Sequence, residues 1–227
     1  EEVAQRVRRL APRSRVVVVG HGVDEATFHE GVQPSKQPSQ AVYVGTASEW
    51  HGASVLVDAL AIARRRGAQI TTEFVGQGSE WAALQTRVRE HGLGDLVHFR
   101  SSVSGDEAAS LIRGARVALA SLQEGVGYDF AVPTKVYSAL AVGTPVIYSG
   151  PAPVRSMIND NGLGSGCPRD PEAVADALMG LTQSEPTEGA RAGLAHWAEE
   201  NVSGRAVAQR AIRALHDAAE LPIERRP

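Results

Sequence analysis

The chain has 227 residues, of which 43% are hydrophobic and 22% are charged, and its formal net charge is −3. A chain with this net charge does not present the positive surface potential that nucleic-acid binding requires. No apolar run approaches the roughly 18–20 residues of a membrane span. The single cysteine, Cys167, excludes an internal disulfide, and the seven histidines show no zinc-ligand spacing. We therefore expect a cytoplasmic protein that binds neither a metal nor nucleic acid.

Short runs of mainly β-branched residues alternate with helical patterns along the chain. The runs are continuously apolar, which is typical of strands that are covered on both faces. This alternation predicts an α/β fold, a Rossmann-like, doubly wound parallel sheet of about six strands, with ligands at the carboxyl ends of the strands. The predicted strands are 15–19, 41–45, 69–75, 96–99, 116–120 and 145–148. The predicted helices between them are 53–66, 79–92, 105–114 and 134–142.

Three turns that follow predicted strands carry small or polar residues. They begin at Gly45, at Gly76 with Gly78, and at Ser101. Glycine lets the backbone approach a ligand, although it also serves tight turning alone. The run Gly76-Gln-Gly78 is not a dinucleotide-binding fingerprint, because Trp81 occupies the third glycine position. We therefore expect no nicotinamide cofactor, and nothing in the sequence asks for another.

The segment 131–147 carries strong start and stop signals for one helix. Pro133 suits the beginning of the helix, and Gly143 suits the position just past its end. Lys135 falls in the first turn, where free backbone N–H groups and the helix dipole already favour an anion. A cation there disfavours the helix by itself, so a bound anion such as a diphosphate is expected.

Both ends of the chain show helical patterns outside the predicted sheet. Residues 2–10 form a short helical pattern, and residues 201–219 form an amphipathic one. A terminal helix that adds no strand usually packs against something else. We therefore expect a neighbouring domain that this chain does not contain.

Several motifs resemble one family of enzymes. The segments 20–28, 43–52, 74–78, 97–99 and 133–145 are similar, in the same order, to motifs of the nucleotide-sugar-binding domain of retaining two-domain glycosyltransferases. These are GT-B enzymes of the glycosyltransferase group 1, or family 4, type, and the resembling domain is their C-terminal one. The segment Pro-Thr-Lys-Val-Tyr followed by Ala-Val-Gly-Thr-Pro resembles transferases that act on lipid-linked or cell-envelope sugars.

The resemblance implies that the domain holds a nucleoside diphosphate sugar. The backbone at 101–103 would face the base, and the helix after Pro133 would receive the diphosphate without a metal. The acceptor, a sugar or a lipid-linked sugar, would bind mainly to the other domain, and any peripheral membrane association would involve that domain. The residues expected to bind the donor are Gly45, Thr46, His51, Gly76, Gly78, Ser101, Val103, Thr134, Lys135 and Ser138.

The sequence departs from the family pattern at charged positions. Thr46 and His51 stand where members often have Arg and Lys, and Ser138 stands where a ribose-binding Glu is usual. The partner Glu aligns with Phe130 unless the loop is longer, in which case Glu124 corresponds to it and is the candidate catalytic residue. Lys135 would then carry most of the charge that binds phosphate.

The resemblance also implies a division of the chain. Residues 1–31 would be the end of a preceding domain with a linker, 32–200 the nucleotide-sugar-binding domain, and 201–227 a helix that crosses back, with a loose tail. Such a half-molecule would bind weakly and catalyse nothing alone. Two alternatives stay open: a non-catalytic sugar-nucleotide or protein-binding module of the same fold, and half of a nucleotide-sugar epimerase.

Overall fold

The computed structural model describes residues 2–219 and contains a six-stranded, entirely parallel sheet with the strand order β3-β2-β1-β4-β5-β6. Helices cover both faces, which confirms the predicted α/β, doubly wound fold. The strands are β1 Ala41–Val44, β2 Thr72–Val75, β3 Val97–Arg100, β4 Val117–Ser121, β5 Val146–Ser149 and β6 Gly164–Cys167.

Two hydrophobic clusters fill the spaces between sheet and helices. One contains Tyr43 and Phe74 from the sheet and lies under α2, α3 and α7, and the other contains Val42 and Val75 and lies under α4, α5, α6 and α8. Successive residues of the inner strands β1, β2, β4 and β5 thus enter opposite clusters, so both faces of these strands need apolar side chains. The helices are α1 Glu2–Leu10, α2 Ser54–Arg65, α3 Trp81–Glu90, α4 Gly105–Gly114, α5 Thr134–Ala141, α6 Ala152–Asp160, α7 Pro171–Leu181, α8 Glu188–Val202 and α9 Gly204–Ala219.

The predicted strand 15–19 is wrong. These residues pair with no strand, and Val17 and Val18 are 47% and 46% exposed. The segment instead lies along α9, where Arg210 Nε donates a hydrogen bond to Val19 O at 2.9 Å and Arg15 pairs with Asp217 at 3.2 Å. Its β-branched composition favours an extended backbone, but a strand also needs a neighbour in a sheet.

The sixth strand is β6, which the sequence analysis missed. Its residues, Gly-Ser-Gly-Cys, lack the β-branched side chains that signal a strand. β6 forms because it pairs in register with β5, with Ser165 beside Ile147 and Cys167 beside Ser149. The flanking helices α6 and α7 cover this edge of the sheet, and these two helices were also not predicted.

The strand order creates a switch point between β1 and β4. From β1 the chain proceeds through β2 to β3 on one side, and from β4 it proceeds through β5 to β6 on the other. The connection after β1 leads to α2 on one face, whereas the connection after β4 leads to α5 on the opposite face. The two loops therefore diverge at the carboxyl edge and leave a crevice, the usual ligand site of such sheets. No helix within residues 2–219 is long and apolar enough to cross a membrane.

Candidate functional site

A cavity of about 500 Å³ occupies the crevice at the switch point. The turn after β1 forms one wall and the beginning of α5 forms the other, while Phe28 and Ile112 close the remaining side. Two elements about 90 residues apart in the sequence thus meet at one place. Six of the residues predicted to bind the donor line this cavity: Gly45, Thr46, His51, Thr134, Lys135 and Ser138.

Helix α5 points its N-terminal end at the cavity. It begins at Thr134 after the N-cap residue Pro133, and its first turn contains no acidic side chain. The predicted stop is also present, because the helix ends at Ala141 and Gly143 follows with φ +77°. The first backbone N–H groups of a helix have no intrahelical acceptor. The wall formed by α5 therefore offers N–H donors and the positive end of a helix dipole.

The ammonium of Lys135 reaches from α5 across to the turn after β1. Its Nζ donates a hydrogen bond to Thr46 O at 3.3 Å and lies 3.7 Å from the centre of the Tyr43 ring. Gly45 lies beside this side chain: a Cβ atom there would be in ordinary van der Waals contact with Nζ at 3.7 Å, and the φ of +118° is what favours glycine at this position. Burial lowers the pKa of Lys135 to about 7. The ammonium therefore loses its proton more readily than that of an exposed lysine, and an anion in the cavity would favour the charged form.

His51 contributes a neutral ring to the opposite wall. The backbone N–H of Ser48 donates a hydrogen bond to His51 Nδ1 at 3.2 Å, which leaves the hydrogen of the neutral imidazole on Nε2. Burial and the nearby Lys135 lower the pKa of His51 to about 4. His51 therefore offers an N–H donor at neutral pH and no positive charge.

Residues 38–184 match the family model described as glycosyl transferases group 1. The match covers more than half of the chain. This chain belongs to the glycosyl transferases group 1 family.

Curated relatives of the chain are named as glycosyltransferases or mannosyltransferases. The amylovoran biosynthesis glycosyltransferase AmsK of Erwinia amylovora is 26% identical over 77% of this chain and 44% of its own length. The phosphatidyl-myo-inositol mannosyltransferase of Mycobacterium leprae is 28% identical over 81% of this chain and 49% of its own. The chain thus spans about half the length of the curated relatives it matches.

Solved structures of glycosyltransferases share the fold. HepE of Anabaena, solved in complex with UDP-glucose, superposes with a TM-score of 0.71 at 15% identity, over 96% of this chain and 62% of its own. At this level of identity, the similarity shows that the chain shares the Rossmann-like fold of GT-B glycosyltransferases.

Gly76 and Gly78 lie beside the cavity wall and do not line the cavity. A Cβ atom at Gly76 would lie 2.2 Å from Gly45 O, and one at Gly78 would lie 2.1 Å from Ala47 O. The two turns also share hydrogen bonds, including one from Ala47 N to Gln77 O at 2.9 Å. These glycines allow the turn after β2 to support the turn after β1 at backbone contact. Their predicted role in binding the donor stays a prediction.

The remaining predicted site residues also lie outside the cavity. Ser101 and Val103 follow β3, which is two strands from β1 and so about 10 Å away. Val103 packs against the cluster under α4 and α5, whereas Ser101 is exposed. Glu124 is exposed in the loop after β4. The roles of these three residues stay predictions.

Tyr43 and Arg169 are among the residues at the site that were not predicted to bind the donor. Tyr43 lies under the Lys135 ammonium, and the only signal for it was its position two residues before Gly45. Arg169 follows β6 and donates a hydrogen bond from Nη1 to Gly52 O at 2.9 Å, which fixes the end of the turn after β1. No group of three or more His, Cys, Asp or Glu side chains within residues 2–219 converges as a metal site requires.

The affinity for a nucleoside diphosphate sugar is expected to fall as the pH rises above about 7. The pKa of Lys135 lies near 7 in the free protein, and a bound diphosphate stabilises the charged form, so binding takes up a proton above that pH. The loss should approach about tenfold per pH unit between pH 7 and 9. Calorimetry across this range, in buffers with different heats of ionisation, would measure both the affinity and the proton uptake.

Neither the phosphates of the ligand nor the neighbouring side chains titrate in this range. A nucleoside diphosphate sugar lacks the ionisation near pH 6 of a phosphate monoester. The pKa of His51 is about 4, and burial raises the pKa of Tyr43, so neither of these cavity neighbours titrates between pH 7 and 9. Equal affinities at pH 7 and 9 would contradict the expected role of Lys135.

Proposed function

We propose that this chain is the donor-binding half of a retaining glycosyltransferase. The enzyme would transfer a sugar from a nucleoside diphosphate sugar to a sugar or lipid-linked acceptor, in polysaccharide or cell-envelope synthesis. The observation that carries the proposal is the cavity at the switch point, into which α5 directs both its N-terminus and the ammonium of Lys135. The names of the relatives, which include amylovoran biosynthesis and a phosphatidyl-myo-inositol mannosyltransferase, support the substrate class.

The chemistry of the cavity suits the diphosphate of the donor. When the bond between the anomeric carbon and the β-phosphate breaks, negative charge develops on the departing diphosphate. The Lys135 ammonium, the first N–H groups of α5 and the Nε2–H of His51 supply donors around the cavity. These groups would stabilise the leaving group without a metal ion. The backbone at 101–103 would contact the base, and Glu124 would support the sugar.

The proposed second half would cover the apolar surface near the chain termini. The exposed residues of this surface lie on α1, on the extended segment 15–19 and on α9. Val23 N donates a hydrogen bond to Val202 O at 2.8 Å, so the linker and the beginning of α9 leave the domain at one place. This arrangement supports the proposed division into 1–31, 32–200 and 201–227. The expected tail after residue 219 lies outside the described residues. Exposed apolar side chains on these segments are Val3, Val7, Leu10, Val17, Val18, Ile212 and Leu215.

Calorimetric titration with UDP-, GDP- and TDP-sugars tests the proposed function. We expect the 227-residue chain to bind one of these base classes with a Kd of about 1 mM or tighter. We expect no transfer to any acceptor, because transfer requires both walls of the cleft to orient the substrates. If none of the three classes binds, the chain is not a donor-binding half.

A second candidate function is a non-catalytic module of the same fold. The observation that favours it is the lack of fixed charge in the cavity: Thr46 and Ser138 are uncharged, and His51 is neutral above pH 4. In this case the chain would bind a protein or a sugar nucleotide without transferring the sugar. This alternative would be excluded if the chain, joined to a matching N-terminal domain, transferred sugar to an acceptor.

A further inference from the structure

The face of the Tyr43 ring lies directly beneath the Lys135 ammonium. Tyr43 is fully buried on β1, and its ring centre lies 3.7 Å from Lys135 Nζ. The Tyr43 hydroxyl donates a hydrogen bond to Thr46 O at 2.8 Å, and the same oxygen accepts from Lys135 Nζ at 3.3 Å. The face of the Tyr43 ring and the Thr46 carbonyl oxygen therefore contact the ammonium together.

The partners of this ammonium are weak compared with a carboxylate. Among the ion pairs of residues 2–219, none includes Lys135. A carboxylate partner would compete with a phosphate for the ammonium, whereas a ring face attracts the cation and adds no negative charge to the site. The contacts with the Tyr43 ring and the Thr46 carbonyl thus hold Lys135 in the cavity and leave its charge available to an anion.

The ring of Tyr43 is itself held by an aromatic row. Tyr43, Phe74 and Phe99 are partners in register on β1, β2 and β3, and the adjacent ring centres are 5.3 Å apart in both pairs. Trp81 on α3 closes the row in a T-shaped contact, with its ring centre 5.4 Å from that of Phe99. Because parallel strands in register fix the spacing of these rings, the sheet determines where the face of Tyr43 lies.

We infer that Tyr43 is a positioning residue that holds the Lys135 ammonium in the diphosphate site through the face of its ring. This inference rests on the proposed function. A bound diphosphate would replace the Thr46 carbonyl as the hydrogen-bond acceptor, while the ring stays beneath the ammonium. Desolvated cation–π contacts are strong enough to matter for affinity.

Two substitutions separate the ring from the hydroxyl. Tyr43→Phe keeps the ring and should bind a UDP-, GDP- or TDP-sugar, whichever the wild type binds, within about threefold of the wild-type affinity. Tyr43→Leu removes the ring face and should weaken binding about tenfold. The matched control is Tyr148→Leu, which makes the same change at a fully buried tyrosine of β5 that lies outside this row and does not line the cavity. Thermal denaturation of each variant would verify folding.

A second measurement needs no variant. The chain contains two lysines, Lys36 and Lys135, so labelling with ¹³C-lysine gives one Cε signal set for each. Lys36 is exposed and serves as the internal reference. The ring current of Tyr43 should shift the Lys135 Hε protons upfield of those of Lys36, and the shift should persist when the donor sugar is bound.

The outcomes distinguish the positioning role from the proposed function. Absence of the upfield shift in the wild type would overturn the positioning role whether or not the chain binds a donor. An affinity of Tyr43→Leu equal to wild type, or an equal loss in Tyr148→Leu, would also overturn it. If the wild type binds none of the three classes of sugar nucleotide, the proposed function fails. The lysine spectrum still reports whether the Lys135 ammonium lies over the Tyr43 ring.

Discussion

Lys135→Ala is expected to weaken the binding of a nucleoside diphosphate sugar about 100-fold, which corresponds to roughly 2–3 kcal/mol. The substitution removes the ammonium that reaches the cavity beside Gly45 and Thr46. His51 cannot replace this charge, because its pKa is about 4. A charge-assisted hydrogen bond to phosphate is among the stronger polar contacts in proteins, and its loss leaves the α5 N-terminus as the main anion-binding group.

Lys36→Ala is the matched control for this experiment. Lys36 is the other lysine of the chain and is exposed on the connection before β1. Its removal changes the net charge by the same amount and should leave the affinity within about twofold, because charges outside the site are screened by salt. Both affinities are measured by calorimetry at pH 6.5, where Lys135 is mainly charged. Equal affinities of Lys135→Ala and Lys36→Ala would place the diphosphate elsewhere.

Gly78→Ala is expected to lower the free energy of unfolding by about 3–5 kcal/mol. Gly78 has φ +149°, in a region that residues with a Cβ rarely adopt, and the new Cβ would lie 2.1 Å from Ala47 O. That oxygen belongs to the backbone of the turn after β1, so relief of the clash must move this turn. We therefore expect weaker donor binding as well as lower stability.

Gly67→Ala separates the clash from the cost of the backbone conformation. Gly67 also has a positive φ, +90°, but a Cβ atom there would meet nothing within 4 Å. This variant should lose only about 1 kcal/mol. Urea denaturation of the wild type and both variants measures the free energies of unfolding. If both variants lose a similar free energy of unfolding, the contact between the turns after β1 and β2 is not what makes Gly78→Ala destabilising.

The fold class was predictable because both faces of the sheet are covered. Five predicted strands occur, with shifted ends, as β1 to β5, and β1, β2, β4 and β5 place apolar residues in both clusters. Local capping signals were also reliable. Helix α4 spans 105–114 as predicted, and its N-cap residue Ser104 accepts a hydrogen bond from Glu107 N at 3.2 Å.

Composition misled the prediction where pairing decided the structure. Residues 15–19 have the β-branched character of a strand, yet they lie along α9 outside the sheet. β6 has two glycines and a serine, yet it completes the sheet because β5 offers an unpaired edge. Propensity spans only about 1 kcal/mol across residue types, so an available partner can override it.

The sequence by itself determined the alternation of strands and helices, the beginning of α5 near Pro133 and the presence of a lysine in its first turn. The tertiary structure decided that this lysine rests on Tyr43 and Thr46, that Gly76 and Gly78 support another turn, and that His51 stays neutral. The reason is physical. Periodicity and capping depend on neighbours within a few residues, whereas these contacts and pKa values depend on strand order, which joins segments distant in the chain.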